Sequence, residues 1–191
     1  MDQRHEHAIS RRRFLQLGAA AGLAGLPALL GAADKKADKD DPLGGFTLGV
    51  QSYSFRNFDL EPALKRTQDL GLHYTELYQK HVPLESTPEQ IQAILRLCKD
   101  YEITPVAYGV QRFTKDHDAN KKMFDFGKAL GIRTFSASPD PDAFDSLDKL
   151  CEEYQIAIGI HPHGPQGKKL HHWYSAEIIL KAVKDHNPLI G

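Results

Sequence analysis

From Phe46 onward the chain alternates two hydrophobic periods, and this alternation constrains its fold more than any other feature. Period-two runs predict strands over 47–54, 74–78, 104–110, 133–137 and 156–161; helical periods predict helices over 60–70, from Thr87 onward, and over 118–130, 141–154 and 175–186. Each helix closes on a short turn into the next apolar run. Two of these turns are near-copies, Asp69-Leu-Gly-Leu72 and Lys128-Ala-Leu-Gly-Ile132, while Thr87 and Pro88 have the order of an N-cap and a first helical residue. Leu189-Ile190-Gly191 reads as the opening of a sixth strand. Strands joined in this way pair in parallel through helical crossovers, which leaves an open doubly wound sheet or a closed eight-stranded barrel.

The strand faces favour the barrel. Gly49, Gln51 and Tyr53 share one face of the first strand, Tyr74 and Glu76 one face of the second, and Thr134, Ser136 and Ser138 one face of the fourth. That face is small or polar and gains functional groups toward each carboxyl end, where barrel enzymes assemble their sites from several strands. No strand-to-helix turn carries the glycine-rich phosphate fingerprint that open dinucleotide-binding sheets use.

The fifth strand, Ile156-Ala-Ile-Gly-Ile-His161-Pro-His163-Gly-Pro165, runs straight into two histidines two residues apart. On extended chain both imidazoles lie on the face shared by Ala157 and Gly159, opposite Ile156, Ile158 and Ile160. Open space beside paired imidazoles suits a metal or a polar substrate, and a solvated, His-rich strand end is the plainer alternative. His163 lies further toward the carboxyl end, and Gly164 frees its backbone to bend over the mouth, so His163 is the candidate metal ligand. His161 then sits one layer deeper, as a substrate-contacting or supporting group.

The amino terminus is a separate object. Ser10-Arg11-Arg12-Arg13-Phe14-Leu15-Gln16 precedes an Ala- and Gly-rich apolar run and resembles a twin-arginine export signal. The run is about 14 residues long, short of the ~20 needed for a permanent span, and cleavage is expected after Ala33. Residues 1–33 are therefore read as signal, 34–45 as a charged, solvated linker, and 46–191 as the folded part. The expected location is periplasmic or otherwise exported, with no stable membrane anchor after cleavage. A formal charge of −1 offers no field for nucleic acid. Cys98 and Cys151 both fall in helical patterns, and a disulfide between them is not expected.

Leu48-Gly-Val-Gln-Ser-Tyr-Ser54, Tyr74-Thr-Glu76-Leu and His161-x-His163-Gly-Pro165, in this order and spacing, resemble the sugar phosphate isomerase/epimerase family, with its xylose isomerase-like TIM barrel. The resemblance covers the chain from Leu48 to Gly191 and implies a partial (β/α)8 TIM barrel of about five and a half βα units. A complete barrel of this kind takes about 250 residues, so the chain is expected to be a fragment or an early-ended product. The family implies a divalent metal (Mn, Zn, Mg or Co), with the remaining ligands expected beyond Gly191, and proton transfer next to a carbonyl of a sugar or polyol. Many of its epimerases carry Glu at the end of strand five, where this chain has His161-Pro162-His163.

The candidate catalytic residues are Glu76 and His161, with Gln51, Tyr53, Ser136, Ser138 and Trp173 as candidate substrate contacts and His163 for the metal. A structural ion pair for Glu76, a core role for Tyr53 and turn chemistry for the serines are the alternatives. His171-His172-Trp173 reads as a second metal site, a sugar-stacking platform or, better, a surface loop. Asp116-His117-Asp118 reads as the opening of a helix rather than an acid–base motif. The leading expectation is a metal-dependent sugar or polyol isomerase, epimerase or related lyase, with an oligomer admissible. A non-catalytic carbohydrate-binding barrel is the first alternative and a metal-dependent endonuclease of the same barrel class the second, which charge and export disfavour.

Overall fold

The computed structural model describes residues 46–165 and 169–191; the expected signal and linker lie outside the described residues. Five strands alternate with helices: β1 (Val50–Gln51), a 3-10 turn (Ser52–Phe55), α1 (Leu60–Asp69), β2 (Tyr74–Leu77), α2 (Pro88–Asp100), β3 (Thr104–Gln111), α3 (His117–Leu130), β4 (Thr134–Ala137), α4 (Phe144–Tyr154), β5 (Ala157–Ile160) and α5 (Ala176–Val183). The strands lie in the order β1-β2-β3-β4-β5, each parallel to its neighbour. This is a partial α/β barrel of the (β/α)8 type. Ile190 continues it with a parallel bridge to Ile158, where the sixth strand was expected to start.

Local signals set most of the helix ends. Thr87 Oγ1 accepts the Gln90 N–H at 3.3 Å while Gln90 Oε1 accepts the Thr87 N–H at 2.7 Å, a reciprocal cap that opens α2. Asp116 and Ser175 cap α3 and α5 through the Ala119 and Ile178 N–H groups. The Asp116-His117-Asp118 run is thus a helix start, as its sequence suggested. Gly131 closes α3 at φ 70°, a left-handed backbone that costs glycine little, and Gln155 closes α4 in the same region.

The first strand departs from its expected span. Only Val50 and Gln51 pair with β2, because the chain turns into a 3-10 helix at Ser52. The turn is fixed from a distance: the Ser52 hydroxyl accepts the Tyr78 N–H and meets His81 Nδ1, each at 2.9 Å. His81 Nε2 faces the Phe58 carbonyl at 2.9 Å, so that nitrogen carries the proton and Nδ1 accepts from Ser52. Tyr53 therefore leaves the strand face on which Gln51 lies.

Alternation holds on β2, β4 and β5, whereas β3 buries the neighbours Tyr108 and Gly109 together and shifts register against β4 between Gly109 and Gln111. Thr75, Leu77, Phe135, Ala137, Ile158 and Ile160 are buried toward the helices, while Glu76, Thr134, Ser136, Ala157 and Gly159 are half-buried on the opposite face. Between sheet and helices, Tyr108, Phe113, Phe124 and Phe135 are fully buried, with ring centroids of 5.5 Å between Phe113 and Phe135 and 5.4 Å between Phe124 and Phe135. Gly127 lets α3 settle there, since a Cβ at that position would come within 2.5 Å of the Phe135 ring. Cys98 and Cys151 are free thiols, and burial pushes them up to about 11 and about 12.

Asp148 of α4 ties down the chain after α5. Its carboxylate receives the Asn187 N–H and meets His186 Nδ1, each at 2.8 Å, and Asn187 Oδ1 accepts the Leu189 N–H at 2.9 Å. That chain of bonds delivers Ile190 to the edge of β5.

Candidate functional site

Gln51 and Glu76 are direct partners in the β1–β2 register, and their side chains emerge on the same face. Gln51 Nε2 donates to Glu76 Oε1 at 2.7 Å, which gives a half-buried carboxylate one fixed hydrogen bond. Gln51, Tyr53, Tyr78, Gly109, Val110 and His161 line an opening of about 250 Å³ at the carboxyl ends of the strands. Glu76 is not itself among the lining residues; it is hydrogen-bonded to one of them, Gln51. Although Tyr53 leaves the strand, the 3-10 turn returns its ring to the rim, edge-on to Tyr78 at 4.9 Å and beneath the Arg56 guanidinium at 4.5 Å.

The register Gly109↔Ser136↔Gly159 places a row of small residues across β3, β4 and β5. A Cβ on Gly109 would come within 2.4 Å of the Ser136 carbonyl oxygen, so this close approach demands glycine. Ser136 is the strand neighbour of Gly109 and is not itself among the residues that line the opening. Ser138 lies just beyond β4, half-buried, with its N–H donated to the Gln111 carbonyl at 2.8 Å, and is not among the residues that line the opening.

At the lip, the His161 and His163 ring centroids are 4.9 Å apart. The His163 N–H bonds the Trp173 carbonyl at 3.1 Å, folding the 171–173 segment back onto the strand end. His171 then lies 4.2 Å from His163, and His172 lies 4.0 Å from His171, centroid to centroid. Sequence reasoning favoured a surface loop for this segment; the structure makes its first histidine half-buried and part of an imidazole row. Burial, then the neighbouring imidazoles, hold the pKa values of His163 and His171 below the usual histidine range. His171 Nδ1 accepts the Trp173 N–H at 3.1 Å, which leaves the proton of its neutral ring on Nε2.

Trp173 corrects the sequence reading. Expected to cover a sugar face, it is instead 3% exposed, packed edge-on against Phe144, with its indole N–H donated to the Pro139 carbonyl at 2.8 Å. An apolar ring with a satisfied N–H is a core residue, and it has no face left to offer. Tyr78, His81 and His171 were not among the expected site residues. Each depends on a loop path; the sequence raised His171 only within a segment read as a second metal site, a stacking platform or a surface loop, and gave no signal for Tyr78 or His81.

Imidazoles suit zinc and other nitrogen-loving ions better than magnesium. Among the described residues no group of three or more His, Cys, Asp or Glu side chains stands close enough to hold a metal ion. His161 and His163 fit a partial ligand set, since a catalytic zinc takes about three protein ligands.

Solved structures share this architecture. A protein from Parabacteroides distasonis superposes with a TM-score of 0.63 at 24% identity, over 76% of this chain and 62% of its own. D-Psicose 3-epimerase from Clostridium cellulolyticum, solved with D-tagatose, gives 0.57 at 12%, over 75% and 62%, and a zinc-bound IolI protein gives 0.51 at 17%, over 72% and 58%. A xylose isomerase domain protein from Salmonella typhimurium gives 0.54 at 15%, over 73% and 57%. The fold is that of the xylose isomerase-like barrels. This chain spans about three fifths of the length of the solved structures it matches. No protein-family model matches it, and no curated protein matches it by sequence.

Proposed function

We propose that the chain belongs to an exported, metal-dependent isomerase or epimerase, or a related lyase, that moves a proton next to a carbonyl of a sugar or polyol. The observation that carries this reading is the Gln51–Glu76 pair beside an opening that His161 also lines, at the strand ends where barrels of this class work. Epimerase and zinc-bound neighbours support it at the level of fold.

In this reading Glu76 takes the proton from the carbon beside the carbonyl, with Gln51 holding the carboxylate in line. Tyr53 and Ser136 meet substrate hydroxyls, and His161 hydrogen-bonds the substrate oxygen. His163 would be one ligand of a divalent ion, joined by ligands from further along the barrel, and the ion's charge would offset the negative charge developing on the substrate oxygens. Ser138, held by its backbone just outside the opening, is a second hydroxyl for a larger substrate.

The test is exchange of substrate protons for deuterium in heavy water, followed by NMR across a panel of ketoses, with the chain that carries the complete barrel. Glu76→Gln should slow exchange by about 100-fold or more while leaving the protein folded. Unchanged exchange in that variant would remove Glu76 from the chemistry.

One observation favours the non-catalytic binding barrel as second reading: among the described residues no third His, Cys, Asp or Glu joins the two imidazoles at the end of β5 in a group that could hold a metal ion. Elemental analysis after native purification separates the two, because the enzyme should retain about one divalent ion per chain. Export is tested with residues 1–33 fused to a folded reporter, where replacing Arg11 and Arg12 by Lys should leave the reporter inside the cell.

A further inference from the structure

Beside the opening, on the other side of the β3 carboxyl end, runs a second and larger cavity of about 770 Å³. It lies between the connection that follows β2 and the first turns of α3, and Val110 lines both it and the opening. Its polar groups include Gln79, Glu85, Gln111, Asp118 and Lys122, and Leu84 and Met123 supply an apolar wall.

Gln111 is the informative member. It is 4% exposed, yet its carboxamide Nε2 reaches Gln79 Oε1 only at 3.5 Å, beyond the usual 2.7–3.2 Å for such a bond. A buried amide held this loosely gains when a ligand hydroxyl supplies a shorter bond. The charges argue for a neutral ligand. Arg112 is already engaged by both carboxylate oxygens of Asp140, at 3.0 and 2.8 Å, and Asp116 caps α3. What remains facing the cavity is a mixture of both signs, Lys122 with Glu85 and Asp118, whose donors and acceptors match those of sugar hydroxyls. Leu84 and Met123 suit the carbon face of the same ring.

We infer that this cavity is a subsite for the second unit of a disaccharide or glycoside whose first unit occupies the opening beneath Tyr53 and His161. The inference rests on the function proposed above and narrows its substrate class from free sugars to glycosidically linked ones. The substrate crosses the β3 end at Val110, and the two glutamine amides read the hydroxyls of the outer unit.

An array of monosaccharides and their disaccharides tests this with the full chain, in buffer containing zinc and manganese. A disaccharide should bind about tenfold more tightly than the monosaccharide of its first unit, as expected from one or two added hydrogen bonds. Ala119→Trp, at an exposed position on the cavity wall, should abolish that preference and leave monosaccharide binding unchanged; Gln111→Leu should do the same if the variant folds. Monosaccharide binding with no gain for any disaccharide, or a preference untouched by Ala119→Trp, overturns the subsite alone. If no saccharide of either size binds, the proposed function fails and takes the subsite with it.

Discussion

At the scale of single residues, His163 has the most testable chemistry. Burial lowers its pKa first and the adjacent imidazoles lower it further, so the neutral ring that a metal requires persists below the usual histidine value of about 6.5. Zinc affinity should therefore fall with acid, but over a window displaced below that value; competition with a chromophoric chelator between pH 5 and 8 measures it. The folded state follows the same sign. A depressed histidine pKa contributes stability that is full above the unfolded value and is lost as pH falls from there through the folded one. His163→Ala should weaken zinc binding by at least about tenfold, and loss in His161→Ala alone would reverse the two roles. Ser52→Ala should cost about 1–3 kcal/mol in urea unfolding, because it strips partners from the buried His81 and from the Tyr78 N–H. Strand parity was enough to bring Gln51, Glu76 and His161 together from sequence. The fates of Trp173 and His171 were not legible, because both depend on the His163–Trp173 backbone bond, which no periodicity encodes.

At the scale of elements, helix boundaries were readable wherever the signal is local. Thr87 with Gln90, Asp116, Ser175 and Gly131 stand within a few residues of what they cap, so side chain and backbone need nothing from the rest of the fold. Thr87→Ala should remove about 1 kcal/mol, read as a lower urea midpoint with an unchanged slope. The first strand was misjudged for the opposite reason: the groups that bend it after Gln51 lie 26 and 29 residues away. Gly109 shows how closely neighbouring strands approach. Gly109→Ala would press a methyl against the Ser136 backbone, where a flexible side chain cannot yield, and should lower the melting temperature far more than Gly131→Ala, whose cost is about 1 kcal/mol of left-handed backbone strain. Thermal unfolding of the two variants side by side checks the order.

Across the whole molecule, protection should follow burial. β4 and α3, which share the Phe124 and Phe135 packing, should exchange their amide hydrogens slowest, and α5, which has no buried residue, fastest. Hydrogen-exchange mass spectrometry resolves these segments, and protection of α5 equal to that of α3 would contradict the ranking. The strand order has a consequence for biosynthesis. Spatial order equals chain order throughout the sheet, so every strand finds its partner in the one made just before it. Nothing already made waits for a later segment to fill a gap between strands. The ribosome can lay the sheet down one edge at a time, and Asp148, translated before the segment it will hold, is in place to receive His186 and Asn187 as they emerge.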